Sequence, residues 1–99
     1  MWYVFIGNDK PDTLALRMQT RATHLERLNA LKDQGRLLVA GPCPAIDNED
    51  PGPAGFTGSV VIAEFATLND AQTWADDEPY LAAGVYDSII IKPFKKVLP

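Results

Sequence analysis

The sequence predicts an α+β domain whose elements follow in the order β-α-β-β-α-β. Three observations predict it. Runs of β-branched, aliphatic and aromatic residues recur at Trp2–Gly7, Arg36–Ala40, Ser59–Phe65 and Val85–Pro93. Stretches with helical spacing fill the first and last gaps between them. The middle gap holds only a Gly- and Pro-rich connection. With right-handed crossovers this order gives a four-stranded antiparallel sheet with two helices on one face, a ferredoxin-like layer.

The first strand stops at Gly7-Asn8-Asp9-Lys10-Pro11. Asp12 and Thr13 are natural N-caps for a helix from Thr13 to Gln34, closed by Gly35 at C′. Leu14, Met18, Leu25, Leu28 and Leu31 fall on one face of it, and Thr20 and Thr23 allow a restart near Arg21. The second strand, Arg36–Ala40, is expected to stop at Gly41-Pro42-Cys43-Pro44. Ala45 to Gly58 reads as a long loop, acidic at Asp47, Glu49 and Asp50 and then rich in Gly and Pro. After the Ser59–Phe65 strand, Thr67 or Asn69 caps a second helix through Ala71, Trp74 and Ala75. Pro79 disfavours helical geometry at Glu78, so the chain changes direction there before the last strand.

Ninety-nine residues make one domain over 1–99, and 46% hydrophobic with 22% charged residues fits a globular chain rather than a disordered one. A net charge of −4 argues against sequence-independent binding of nucleic acid, which needs clustered cations. No apolar run is long enough to cross a bilayer, and the N-terminus lacks the features of a signal peptide, so no membrane partner is expected. A single cysteine, Cys43, forms no internal disulfide, which points to a reduced, cytoplasmic setting.

The strands do not alternate apolar with polar. Trp2, Val4 and Ile6 face one way and Tyr3 and Phe5 the other, and Leu37-Leu38-Val39, Val60-Val61-Ile62 and Ile89-Ile90-Ile91 are apolar on both sides. Two helices cover one face only. Leaving several such side chains wet forfeits several kcal/mol at ~25 cal/mol per Å². A second copy of the sheet is the simplest cover, so a homodimer is expected. Tyr3, Phe5 and parts of the Leu37–Val39 and Ile89–Ile91 strands are expected to lose solvent access in it.

His24 is the only histidine, on a stripe of the first helix with Arg17, Arg21, Leu28 and Leu31. It reads either as a helix-edge histidine without a role or as a proton-transfer group awaiting a partner. Asp76, Asp77 and Glu78 crowd the C-terminal end of the second helix, where the dipole disfavours them by about 0.3–1 kcal/mol each. Glu78 is the one placed to turn back toward His24, with Asp77 and Asp33 as substitutes. Arg17, Arg21, Arg27 and Arg36 form a basic strip that either holds an organic anion or pairs with Glu26 and Asp33. Gly52, Gly55 and Gly58 lack the following Lys-Ser/Thr of a phosphate loop and read as a flexible connection delivering Ser59 to a cleft. One histidine and one cysteine do not make a zinc site.

The motifs R-x-x-H-L, G-x-L-x-x-A-G-P, G-x-x-G-S and P-Y-x-x-A-G occur together, within RATHLERLNALKDQGRLLVAGPCPAIDNEDPGPAGFTGSVVIAEF and WADDEPYLAAGVYDSIIIKPFKKV. Over essentially its whole length the chain resembles the YciI-like family. The resemblance implies ferredoxin-like subunits paired sheet to sheet as a dimeric α/β barrel. It also implies a site built on a histidine paired with an acid, acting on small cyclic or aromatic compounds without metal or cofactor. Carried onto this sequence, the histidine is His24, the arginine Arg21, the serine Ser59, and the acid before proline, usually aspartate, is Glu78. Gly41, Pro42 and Tyr80 then join Arg21 and Ser59 as substrate-binding residues around a cleft.

Two functions follow. In one, Glu78 fixes the tautomer of His24, His24 moves a proton on a small cyclic or phenolic substrate, and Arg21 and Ser59 steady the oxyanion, in lyase or isomerase chemistry such as dehydrochlorination. In the other, the same cleft of a dimeric accessory domain only binds a small ligand.

Overall fold

The computed structural model describes residues 1–99. Its elements are β1 (Trp2–Asp9), α1 (Leu14–Asp33), β2 (Leu37–Pro44), β3 (Phe56–Glu64), α2 (Leu68–Asp76), α3 (Pro79–Ala82) and β4 (Tyr86–Phe94), with a short 3-10 turn at Gly52–Ala54. The four strands form one sheet in the order β2-β3-β1-β4, and every neighbouring pair is antiparallel. This is the ferredoxin-like α+β fold. No helix is long and apolar enough to cross a membrane.

The α1 helix runs without the break allowed near Arg21 and ends where Gly35 takes φ +70°, a left-handed turn that glycine adopts without steric cost. Thr13 is the N-cap residue, but its hydroxyl donates to the Lys10 carbonyl instead of accepting from the helix. Thr67 does cap α2, accepting from the Asp70 amide at 3.1 Å.

Two expectations about the strands need correction. The Gly41-Pro42-Cys43-Pro44 stretch does not stop β2, which pairs on through Pro42↔Ser59 and Cys43↔Gly58. β2 is an edge strand, where proline's missing N–H need not face a partner. β3 correspondingly starts at Phe56 rather than Ser59, and the connecting loop is shorter than expected. The second correction concerns which face of β1 is covered. Tyr3 and Phe5 lie under the helices in the core, at 5% and 3% exposure, so they do not belong to the open face. Phe5 meets Phe65 and Trp74 edge-on, at 5.7 and 5.1 Å between ring centroids. Alternation shows that β1 has two apolar faces without saying which one the helices take. Gly7 has the same parity as Tyr3 and Phe5, and it makes room for the Tyr86 ring, which a Cβ there would meet at 2.5 Å.

The open face therefore carries Trp2, Val4 and Ile6. Their neighbours across the ladders are the apolar Phe94, Ile62, Val60 and Ile90 and the charged Glu64 and Lys92, and Val39 lies beyond Ile62. No element of this chain covers that face. Of the expected set, Leu37, Ile89 and Ile91 pack toward the core, while Val39 and Ile90 are exposed.

Candidate active site

α1 lays Arg17, His24, Leu28 and Leu31 along the face it buries against the sheet. The two leucines join the core, and the two polar residues are buried as deeply, so each needs a partner. The chain between α2 and β4 supplies one for His24. Glu78, extended at φ −63° and ψ 123° as a residue before proline must be, caps the short α3. Its Oε1 lies 2.6 Å from His24 Nδ1 and 3.3 Å from the Tyr80 amide, which donates to it. Its Oε2 accepts from Arg27 at 3.3 Å, while the other terminal nitrogen of Arg27 donates to the Trp74 carbonyl. A carboxylate 3% exposed thus has every lone-pair direction but one engaged. Asp77, the first substitute, lines an open groove on the other side of Trp74, and Asp33 is exposed.

The acceptor at Nδ1 fixes the neutral imidazole as the Nδ1–H tautomer and leaves Nε2 with its lone pair. Nε2 makes no hydrogen bond within the protein, and no sealed side-chain nitrogen or oxygen lacks one, so Nε2 is open to a visitor. Tyr80, following Pro79, stacks on the imidazole at 4.2 Å with 21° between the planes.

His24 lines a cleft of about 280 Å³ between α1 and the β2–β3 edge. Arg21, Gly41, Pro42, Ser59 and Tyr80 line it as well, so the structure brings the expected substrate-binding residues and His24 around one concavity, while Glu78 does not line it and reaches it only through His24. Leu25, Leu28, Leu37 and Ala40 make its apolar floor. Arg21 is exposed at the rim and has no ion-pair or hydrogen-bond partner.

The sequence reading left Arg17 among four interchangeable arginines, and the structure singles it out. Its Nε and Nη2 donate to the two carboxylate oxygens of Asp9, both at 2.8 Å, and Nη2 also donates to Ser59 Oγ at 2.9 Å. Burial pushes the guanidinium pKa down, but the hydrogen bond and charge of Asp9 more than offset it, and the pKa ends raised. Tyr80 and Tyr86 pack against the cation, with ring centroids 4.8 and 5.9 Å from Cζ. Burial raises both phenol pKa values, that of Tyr86 to about 12. Asp9 and Tyr86 were missed, and Arg27 was read only as one member of the basic strip. Asp9 sits in a segment that reads as a turn, and nothing local marks a partner eight residues away.

Residues 1–95 match the YCII-related domain family. Protein YciI of Escherichia coli O6:H1 is 60% identical over 97 residues, covering 98% of this chain and 99% of that protein. A protein of Haemophilus influenzae is 55% identical over the same length. Among solved structures, the 5-chloro-2-hydroxyhydroquinone dehydrochlorinase TftG of Burkholderia phenoliruptrix AC1100, in complex with 2,5-dihydroxybenzoquinone, superposes with a TM-score of 0.83 at 25% identity, covering 96% of this chain and 94% of that one. Motifs, fold and near-full-length identity agree, and the chain belongs to the YCII-related domain family.

Proposed function

We propose that the protein is a small-molecule enzyme in which His24 acts as general base and acid on a small cyclic or phenolic substrate. The observation that carries this is the 2.6 Å contact of His24 Nδ1 with buried Glu78, beside a Nε2 left unbonded at an apolar-floored cleft. A base needs its lone pair on the side of the substrate and its other nitrogen held, and this is that arrangement. His24 takes a proton from a ring carbon or hydroxyl, and Glu78 stabilises the imidazolium formed. Charge then develops on a ring oxygen, where Ser59 and Arg21 at the cleft provide donors. In an elimination, the ring electrons released expel chloride or another leaving group, and the imidazolium returns its proton to solvent. The likeness to TftG supports a dehydrochlorination or a related lyase or isomerase step.

The test is incubation in D₂O with chlorinated hydroquinones, 5-chloro-2-hydroxyhydroquinone among them, and with enolisable cyclic diones. Chloride release or carbon-bound deuterium is expected with the wild-type protein. His24→Gln is expected to lower either rate by about 10²–10⁴-fold, the range for loss of a general base. Ligands that bind equally to wild type and His24→Gln without turnover identify an accessory binding domain instead.

We also infer that two copies pair through the open face of the sheet and that the protein works in a reduced, cytoplasmic setting. The uncovered apolar face supports the first and the lone Cys43 the second.

A further inference from the structure

The cleft lined by His24 changes character along its length. α1 leads into β2 through the short turn at Gly35, so the later turns of the helix face the start of the strand. Arg21, Pro42, Ser59 and Tyr80 stand at one end of the cleft, and Leu25, Leu28, Leu37 and Ala40 at the other. Leu37 and Ala40 are three residues apart, a spacing that sends side chains to opposite faces of a regular strand. β2 is not regular there. Its register shifts between Leu37 and Val39, so Leu37 pairs with Ala63 and Ala40 with Val61, both partners lying in the core under the helices. Leu38 is the extra residue of a β-bulge, and the bulge turns Leu37 toward α1 and the cleft. Leu25 and Leu37 stay only half-buried although they pack on the core, so they keep apolar surface that a ligand can remove from water. A cavity of about 150 Å³ takes one benzene ring. The cleft, at about 280 Å³, leaves room beyond a ring for about four more groups of ~30 Å³, the volume of a water.

We propose that this apolar end is a specificity subsite, and that the substrate is a ring carrying a short alkyl chain of about four carbons. The chain leaves the ring on the side away from Ser59 and runs between Leu25 and Leu37, with Ala40 beneath it. Ala40 sets the depth of the bay, because a larger side chain there would take the place of the alkyl group. Past His24, the next polar side chain of the α1 wall is Asn29, one helical turn or about 6 Å beyond Leu25. A polar substituent placed in that stretch loses water and meets no hydrogen-bonding side chain, so the bay selects against it. An unsubstituted hydroxyquinone leaves the bay unfilled. The proposal deepens the reading of the cleft as a site for small cyclic compounds and rests on it.

Binding of 2,5-dihydroxybenzoquinone and its 3-alkyl derivatives, methyl through hexyl, tests it. Wild-type affinity is expected to rise by about two- to four-fold per carbon, the upper value being that of a fully buried methylene. The rise is expected to stop near butyl. A 3-carboxypropyl derivative, of similar length but charged at its tip, is expected to bind no better than the unsubstituted quinone. In Ala40→Leu the ratio of butyl to unsubstituted affinity is expected to fall to within about two-fold of one, and in Leu37→Ala the plateau is expected to move to longer chains. Should Ala40→Leu fail to fold, Ala40→Val narrows the same bay and is expected to lower the same ratio. Affinity that is flat or falling along the wild-type series overturns the proposal. So does a butyl gain that persists undiminished in the Ala40 variant, or no saturable binding of any member. The deuterium experiment reports His24 and the chain-length profile reports the bay. Exchange with a flat profile removes only the bay, and a profile without turnover removes only the base.

Discussion

Tyr86 fills the space that Gly7 leaves open and packs near Arg17 and beside Ser59, so its phenol is tied to the cleft without lining it. Burial holds its pKa at about 12, against an ordinary value near 10. The sign of the consequence follows from proton counting. Between pH 10 and 12 the unfolded chain has lost this proton and the folded one keeps it, so the native state binds more protons and stability falls as pH rises. The contribution is complete below pH 10 and about 2–3 kcal/mol smaller above pH 12, at 1.36 kcal/mol per unit. Tyr86→Phe removes it. Urea midpoints at pH 9 and pH 11.5 are therefore expected to differ more for the wild type than for Tyr86→Phe. Equal differences would show that the phenol is not held protonated by the fold.

At the scale of elements, α2 and α3 position the acid of the site. Thr67 starts α2 and Glu78 starts α3, each by a side-chain oxygen that accepts a backbone N–H. The two caps differ in what depends on them. Thr67 is a local device, and Thr67→Ala is expected to cost about 1 kcal/mol, read as a drop in Tm of roughly 4–8 °C for a domain of this size. The His24 ¹⁵N shifts of the Nδ1–H tautomer are expected to persist in that variant. Those shifts are expected to move in Glu78→Gln, whose amide can donate as well as accept. Unmoved His24 shifts in Glu78→Gln overturn the assignment of Glu78 as the group that fixes the tautomer. What was legible in the sequence divides along the same line. Helix spacing, the Thr67 cap, Gly35 and Glu78-Pro79 are local signals, and each was readable because its cause lies within a few residues. Around His24, motif resemblance named His24, Glu78, Ser59 and Arg21. The edge position that lets Pro42 and Pro44 continue β2, the Asp9–Arg17 pair and the Arg27–Glu78 contact depend on which strands and helices meet, and no local pattern carries that.

For the molecule as a whole, the sheet has one face that its own helices cannot reach. Val4, Ile6, Val60 and Ile62 sit at its middle, Trp2 and Phe94 at one end, and Val39 and Ile90 are more than 40% exposed on the flanking strands. These apolar side chains adjoin one another on one uncovered face, unlike singly scattered surface hydrophobics, with Glu64 and Lys92 among them. A standard interface takes about 800 Å² from each partner, and a four-stranded face is of that order. Pairing through a two-fold axis sets like residues near like residues, so a charge introduced at the centre meets its own copy as well as losing water. Ile62 pairs with Val4 on one side and Val39 on the other, which places it at that centre. In the isolated subunit the same position faces solvent, so Ile62→Glu is compatible with the fold. The wild-type protein is therefore expected to sediment as a dimer at micromolar concentration, and Ile62→Glu as a monomer with unchanged far-UV circular dichroism. A wild-type chain that sediments as a monomer at 100 µM would sink the pairing, and so would an Ile62→Glu variant that remains dimeric, since the contact would then lie elsewhere on the molecule.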